Sequence, residues 1–84
     1  MISPKALLNG PYPGVVEMIP VQSEAISRIG YDAPTKTARV EFRNDRTHDF
    51  PGVEPREHEE LINAPSVGRH FCINWRGRNH TRIA

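Results

Sequence analysis

The clearest pattern in the chain is a strict alternation of apolar and charged positions in the segment TARVEFR. The apolar set is Ala38, Val40 and Phe42, and the charged set is Arg39, Glu41 and Arg43. A period of two predicts a β-strand with one face on the core and the other, charged face in solvent. The segments SRIGYD before it and THDF after it predict two shorter strands. Asn44 and Asp45 in the turn NDR tolerate the left-handed backbone of a tight turn.

The next segment, PREHEELINA, predicts a short helix. Pro55 suits the first turn, because its missing N–H has no partner there in any helix. The apolar stripe expected to face the core is His58, Leu61 and Ile62, at helical spacing.

Pro65 ends that helix, and Ser66 is the expected N-cap of a second one. Val67, Phe71 and Trp75 fall within one narrow arc of the second helix, so Trp75 is predicted to lie in the core. Arg69 and Arg76 point the other way, and Gly77 is a natural stop.

The expected fold class is α+β, a three-stranded antiparallel β-meander followed by two short helices packed on one face. Half of the eight prolines lie in the first twenty residues, which predicts an extended Pro-rich N-terminal arm over residues 1–17. The domain proper is predicted to span 18–78, followed by a basic C-terminal tail over 79–84. A chain of 84 residues makes one small domain.

Composition excludes several classes of protein. The single cysteine, Cys72, cannot form an internal disulfide, which favours a reducing, cytoplasmic location in a bacterial cell, whether the gene is bacterial or phage-encoded. No apolar run approaches the ~20 residues of a membrane span, and no signal peptide is expected at the N-terminus. Neither a thiol–histidine pair nor a metal-ligand spacing is recognisable, so we expect no enzyme, no metal and no cofactor.

Charge is distributed unevenly along the chain. Residues 1–65 carry a net charge of −3, whereas residues 66–84 contain four arginines and no acid. A basic end on a mildly acidic body is typical of a protein that contacts phosphate or an acidic partner. The candidate anion-binding residues are Ser66, Gly68, Arg69, Arg76, Arg78 and Arg82.

These candidates also have a purely structural interpretation. A helix N-terminus attracts anions, Gly68 would let a phosphate approach, and Arg69 could grip it. Equally, Ser66 could cap the helix, Gly68 could allow close packing, and Arg69 could pair with Glu60. Both explanations stay open on the sequence alone.

The order of these segments resembles the KTSC domain family over roughly residues 18–78. The segments that carry the resemblance are VQSEAISRIGYD, ARVEF, HDF and GVEPREHEELINAPSVGRHFCINWRGR. The most specific pieces are Ser23, the run Ile29-Gly30-Tyr31-Asp32, and Ala64-Pro65-Ser66 with Gly68 and Phe71. The family is named for its occurrence at the C-terminus of some lysyl-tRNA synthetases, and it also occurs as free-standing bacterial and phage proteins. That attachment implies RNA binding. Here His48-Asp49-Phe50 replaces the family's Tyr-x-Tyr, which argues against base stacking on this strand.

Two functions follow as hypotheses. The favoured one is a small non-enzymatic module that binds RNA or another nucleic acid through its basic C-terminal helix and tail. The alternative is a protein-interaction module that uses the arm, Ile73 and the tail to dock on, or inhibit, a larger host or phage assembly.

Overall fold

The computed structural model describes residues 16–84, and the predicted arm lies outside them except for its last two residues. The α+β class, with an antiparallel sheet and two helices, is confirmed. The expected number of strands is wrong, because the described residues form one five-stranded sheet in the order β1-β2-β3-β4-β5. In chain order the elements are β1 (Met18–Pro20), β2 (Ile26–Asp32), β3 (Thr37–Phe42), β4 (Thr47–Phe50), α1 (Pro55–Ile62), α2 (Val67–Asn74) and β5 (Thr81–Arg82).

The three predicted strands form the centre of the sheet. β2 pairs with β3 through Ile29 opposite Val40, and β3 pairs with β4 through Val40 opposite His48. Asp45 adopts a φ of 69° in the β3–β4 turn, as expected for this residue type.

The two additional strands lie at the sheet edges. β1 pairs with β2, and it includes Pro20, which lacks an N–H and is therefore suited to an edge. β5 pairs with β4 through only two residue pairs, His48 with Arg82 and Asp49 with Thr81. Part of the predicted tail thus completes the sheet.

The core lies between one face of the sheet and the two helices. Val67, Phe71 and Trp75 are all buried, which confirms the predicted inner face of α2. On α1 only Leu61 is fully buried. Ile62 is exposed, contrary to the predicted stripe, and His58 is half-buried and stacked on the Tyr31 ring at 4.7 Å. Burial lowers the pKa of His58.

The opposite face of the sheet is less solvated than its charge pattern suggests. Arg39 and Asp49 are opposite each other in β3 and β4, and Arg39 Nε donates to Asp49 Oδ1 at 2.7 Å. The Asp49 side chain is fully buried, and that of Arg39 is only 13% exposed. The expectation of an open, solvated face is therefore wrong at this pair. No helix within residues 16–84 is long and apolar enough to cross a membrane.

Candidate nucleic-acid interface

The start of α2 forms one wall of an open cleft of about 550 Å³, and the turn between β1 and β2 forms the other. Ser66 caps the helix, since its Oγ accepts a hydrogen bond from the Arg69 backbone N–H at 3.3 Å. The lining residues are Gln22, Ser23, Glu24, Ala25, Pro65, Ser66, Gly68, Arg69 and Cys72.

Gly68 is explained by packing. A Cβ built at this position would lie 3.0 Å from Ser23 Oγ, tighter than most real contacts. That oxygen is already engaged, because it accepts hydrogen bonds from the backbone N–H groups of Ala25 and Ile26 at 3.1 and 3.2 Å. Gly68 therefore lets α2 rest directly on the turn that Ser23 organises.

The structure does not show the ion pair between Arg69 and Glu60 that the purely structural interpretation requires. The Arg69 guanidinium is exposed and forms no hydrogen bond or ion pair with any residue in 16–84, Glu60 included. Glu24 lines the same cleft and offsets its charge there.

The outer side of α2 carries a second such cation. Arg76 follows the helix by two residues, and its backbone N–H donates to the Phe71 carbonyl oxygen at 3.1 Å, which continues the last turn. Helical spacing places Arg69 and Ile73 on one side of α2, and Arg76 follows in the turn after the helix. Arg76 is exposed and, within the described part of the chain, its side chain has no hydrogen-bond or ion-pair partner. We call these three residues the outer face of α2.

Arg78 has a different environment. Its guanidinium donates to Glu57 Oε2 at 3.0 Å and to the Gly52 carbonyl oxygen at 2.7 Å, and it lies 5.4 Å from the centre of the Trp75 ring. The hydrogen bond from Arg78, followed by the one from the Glu54 backbone, lowers the pKa of Glu57. Arg78 thus ties the chain after α2 to α1.

Arg82 lies apart from the helix. It is exposed in β5, opposite His48, and its Nε donates to the Ala84 carbonyl oxygen at 2.9 Å. The structure therefore brings Ser66, Gly68 and Arg69 to one cleft and leaves Arg76 in the turn after α2. It does not bring Arg78 or Arg82 to that place.

The sequence predicts Ser23 as the cap of a short turn, which is confirmed by its two backbone hydrogen bonds, and the structure shows that Ser23 also lines the cleft. Cys72 is also exposed in the cleft, although a lone cysteine is most often a buried small hydrophobe. Among residues 16–84 no group of three or more His, Cys, Asp or Glu side chains could hold a metal ion.

A smaller, mostly apolar groove of about 290 Å³ adjoins the cleft. Ala64, Pro65 and Ile73 contribute its apolar surface, and Arg69 borders it as well as the cleft. Ile73 is 69% exposed beside this groove.

Comparison with known proteins gives consistent matches. The KTSC domain family matches residues 22–78. A crystal structure of a KTSC domain protein from Yersinia pestis superposes with a TM-score of 0.79 at 31% identity, covering 83% of this chain and 100% of that one. An uncharacterized protein of Stutzerimonas stutzeri is 30% identical over 56 residues, which are 67% of this chain and 79% of that protein. A lysine–tRNA ligase of Nostoc punctiforme is 34% identical over 50 residues, 60% of this chain but only 9% of the ligase.

Proposed function

The chain belongs to the KTSC domain family, and from this premise we propose that it is a small RNA-binding module whose contact surface is the outer face of α2. The family match is to a small module and brings no catalytic assignment, so the proposed role is binding without chemistry. The expected location remains the cytoplasm.

The pair Arg69 and Arg76 is the observation that carries the proposal. Both guanidinium groups are exposed and neither has a side-chain partner among the described residues, whereas Arg78, Arg28 and Lys36 all form ion pairs. Arg69 lies in the first turn of α2, and Arg76 lies in the turn that follows the helix. No acid occurs between residues 66 and 84. Guanidinium groups bind phosphate oxygens with two parallel hydrogen bonds, so this surface favours a phosphate backbone.

The contact is expected to depend on charge and not on base identity. Phe71 and Trp75 are buried, and the ring that replaces the first family tyrosine on β4 is His48. Base readout by RNA-binding proteins usually needs exposed aromatic rings for stacking. Phosphate contacts, by contrast, position the RNA but carry little sequence information.

The relation to a lysine–tRNA ligase supports RNA as the nucleic acid. The shared region is a small fraction of that enzyme, so its activity is not transferred to this chain. A region of this size attached to a tRNA-handling enzyme is suited to an auxiliary RNA contact.

The proposal is tested by fluorescence anisotropy with a labelled single-stranded RNA and with tRNA, at low salt. The variant is Arg69→Gln/Arg76→Gln, and the matched control is Arg56→Glu, which removes the same two units of net charge from the exposed surface of α1. We expect the double variant to lose at least about tenfold in affinity and the control to lose little. Equal losses in both would show that only net charge matters, and no binding by the wild type would refute the proposal.

A second candidate function, protein docking, is favoured by one observation, the exposed Ile73 beside the apolar groove. Exposed apolar surface bordered by charge is typical of a protein-binding site. The substitution Ile73→Gln separates the two functions, because it leaves both guanidinium groups in place: it should abolish capture of a partner from nuclease-treated host lysate and lower RNA affinity far less than Arg69→Gln/Arg76→Gln does. If capture disappears with nuclease alone, the docking function is excluded.

A further inference from the structure

Two histidines meet at the β4–β5 edge of the sheet. His48 lies in β4 and His80 immediately precedes β5, and their Nδ1 atoms are 2.9 Å apart. At this distance one ring donates its Nδ1–H to the other, so a neutral pair shares a single proton between the two nitrogens.

Apolar rings hold the two imidazoles in place. Phe50 stacks on His80 with 5.1 Å between ring centres, and Phe42 contacts His48 edge-on at 5.6 Å. His48 is therefore half-buried while His80 is exposed. Solvent reaches the pair on one side, and the aromatic rings hold it in place on the other.

The charged groups that act on His48 are all basic. They are His80, Arg82 from β5 and Arg46 from the turn before β4. Burial first, and then these basic groups, lower the pKa of His48. Asp49, the neighbouring acid in β4, lies on the opposite face of the sheet and is bound by Arg39.

The two arginines at this edge, Arg46 and Arg82, have hydrogen-bond donors that no described residue uses. Arg82 uses its Nε on the Ala84 carbonyl oxygen, and its terminal nitrogens donate to no described residue. The Arg46 side chain is exposed and, in the part of the chain that the structure describes, forms no hydrogen bond or ion pair. A dianion with tetrahedral oxygens would satisfy these donors and offset the charge of a protonated histidine pair.

We infer that His48 and His80, flanked by Arg82 and Arg46, form a proton-gated site for a phosphate group. In the neutral pair the Nδ1–H is consumed between the rings and unavailable to an anion. A first proton adds to the free Nε2 of the donating ring and leaves the Nδ1–Nδ1 hydrogen bond in place. A second proton turns both Nδ1 atoms into donors, which separates the rings by repulsion and directs two N–H groups to one space. The bound anion stabilises the protonated pair, so by linkage anion affinity and proton affinity rise together.

The site is independent of the outer face of α2, because it involves other residues on another element. Its phosphate could belong to a nucleic-acid backbone or to a terminal phosphomonoester. Sulfate, whose charge is constant between pH 6 and pH 8, serves as the probe for the doubly charged monoester. The trinucleotide UpUpU, with singly charged phosphodiesters, serves as the probe for the backbone.

The experiment is an NMR titration of the wild type at constant ionic strength, following the His48 and His80 ring signals at pH 6 and pH 8. We expect saturable shifts, an affinity at least about tenfold higher at pH 6, and a raised pKa of His48 in the presence of the anion. A response to sulfate alone assigns the site to a terminal phosphate, and a response to UpUpU assigns it to a backbone. An equal affinity at both pH values, or no response to either probe, overturns the inference.

Two single substitutions test whether the histidine pair causes the pH dependence. His80→Gln at an exposed position removes one titrating partner without opening the core, and the pH dependence of sulfate binding should become weaker because only His48 is left to titrate. His70→Gln is the control, since His70 lies on α2 and, among the described residues, contacts neither ring. An undiminished pH dependence in His80→Gln would contradict the inference, whatever the result of the RNA measurements with α2 variants.

Discussion

Arg78→Ala should destabilise the fold, whereas Arg76→Ala, two residues away, should not. Both arginines lie in the basic C-terminal part of the chain, and the sequence assigned them the same role. In the structure Arg78 contacts Glu57, Gly52 and the Trp75 ring, while the Arg76 side chain is exposed and has no such contact among residues 16–84.

The expected magnitude follows from three contacts of Arg78. The hydrogen bond to the Gly52 carbonyl oxygen, at 2.7 Å, involves a charged donor and contributes ~1.5–3 kcal/mol. The ion pair with Glu57 is one quarter to one third exposed and adds at most ~1 kcal/mol, and the contact with Trp75 adds ~0.5–1 kcal/mol. Because the three share one side chain they are not additive, and we expect a total loss of about 2–3 kcal/mol.

The assay is urea unfolding, with the single tryptophan as the fluorescent probe and far-UV circular dichroism as a second signal. Trp75 is buried, so its emission reports loss of the core. A domain of 84 residues has a stability of roughly 4–13 kcal/mol, so the variant should remain folded with its midpoint lowered by about 1–2 M urea.

The pH dependence adds a second check on the same substitution. The pKa of Glu57 is lowered from its usual 4.5, so the stability from its pairing is present above that value and lost as pH falls through the folded-state pKa. The difference between wild type and Arg78→Ala should therefore shrink in acid. Equal unfolding midpoints for Arg78→Ala and Arg76→Ala at neutral pH would refute the assignment.

Three further predictions concern the sheet and α1. Arg39→Ala leaves the fully buried Asp49 carboxylate without its partner and should lower the free energy of unfolding by ~3–5 kcal/mol in urea titrations. The loss should be smaller when the Asp49 carboxylate is removed as well. Gly30→Ala should detach β1, because its Cβ would lie 2.7 Å from the Glu17 carbonyl oxygen, and amide exchange of the β1–β2 pairing should accelerate while β3–β4 exchange is unchanged. The pKa of His58 is lowered by burial, so stability should fall as pH drops below 6.5, and His58→Gln should flatten that slope in thermal unfolding measured across pH.

The elements with strong periodicity were predictable from the sequence. β3 alternates strictly and α2 places Val67, Phe71 and Trp75 on one arc, so burial follows from spacing alone. β1 and β5 contain three and two residues, too few for any period to be visible, and only tertiary pairing defines them.

The sequence named the candidate residues but could not show how the fold groups them. Arg78 could not be separated from Arg76, because its partners Gly52 and Glu57 precede it by 26 and 21 residues. The buried pair Arg39–Asp49 was hidden for a similar reason, since alternation identifies the face of a side chain but not its cross-strand partner.

The salt dependence of RNA binding tests the central claim most directly. For single-stranded RNA, log Kobs falls with log salt by about 0.7 per phosphate contact. Replacing both Arg69 and Arg76 by Gln should therefore reduce the slope by about 1.4, while Arg56→Glu should leave it nearly unchanged. An unaltered slope in the double variant, or wild-type affinity that does not depend on salt, would contradict the account of the outer face of α2 as an RNA contact.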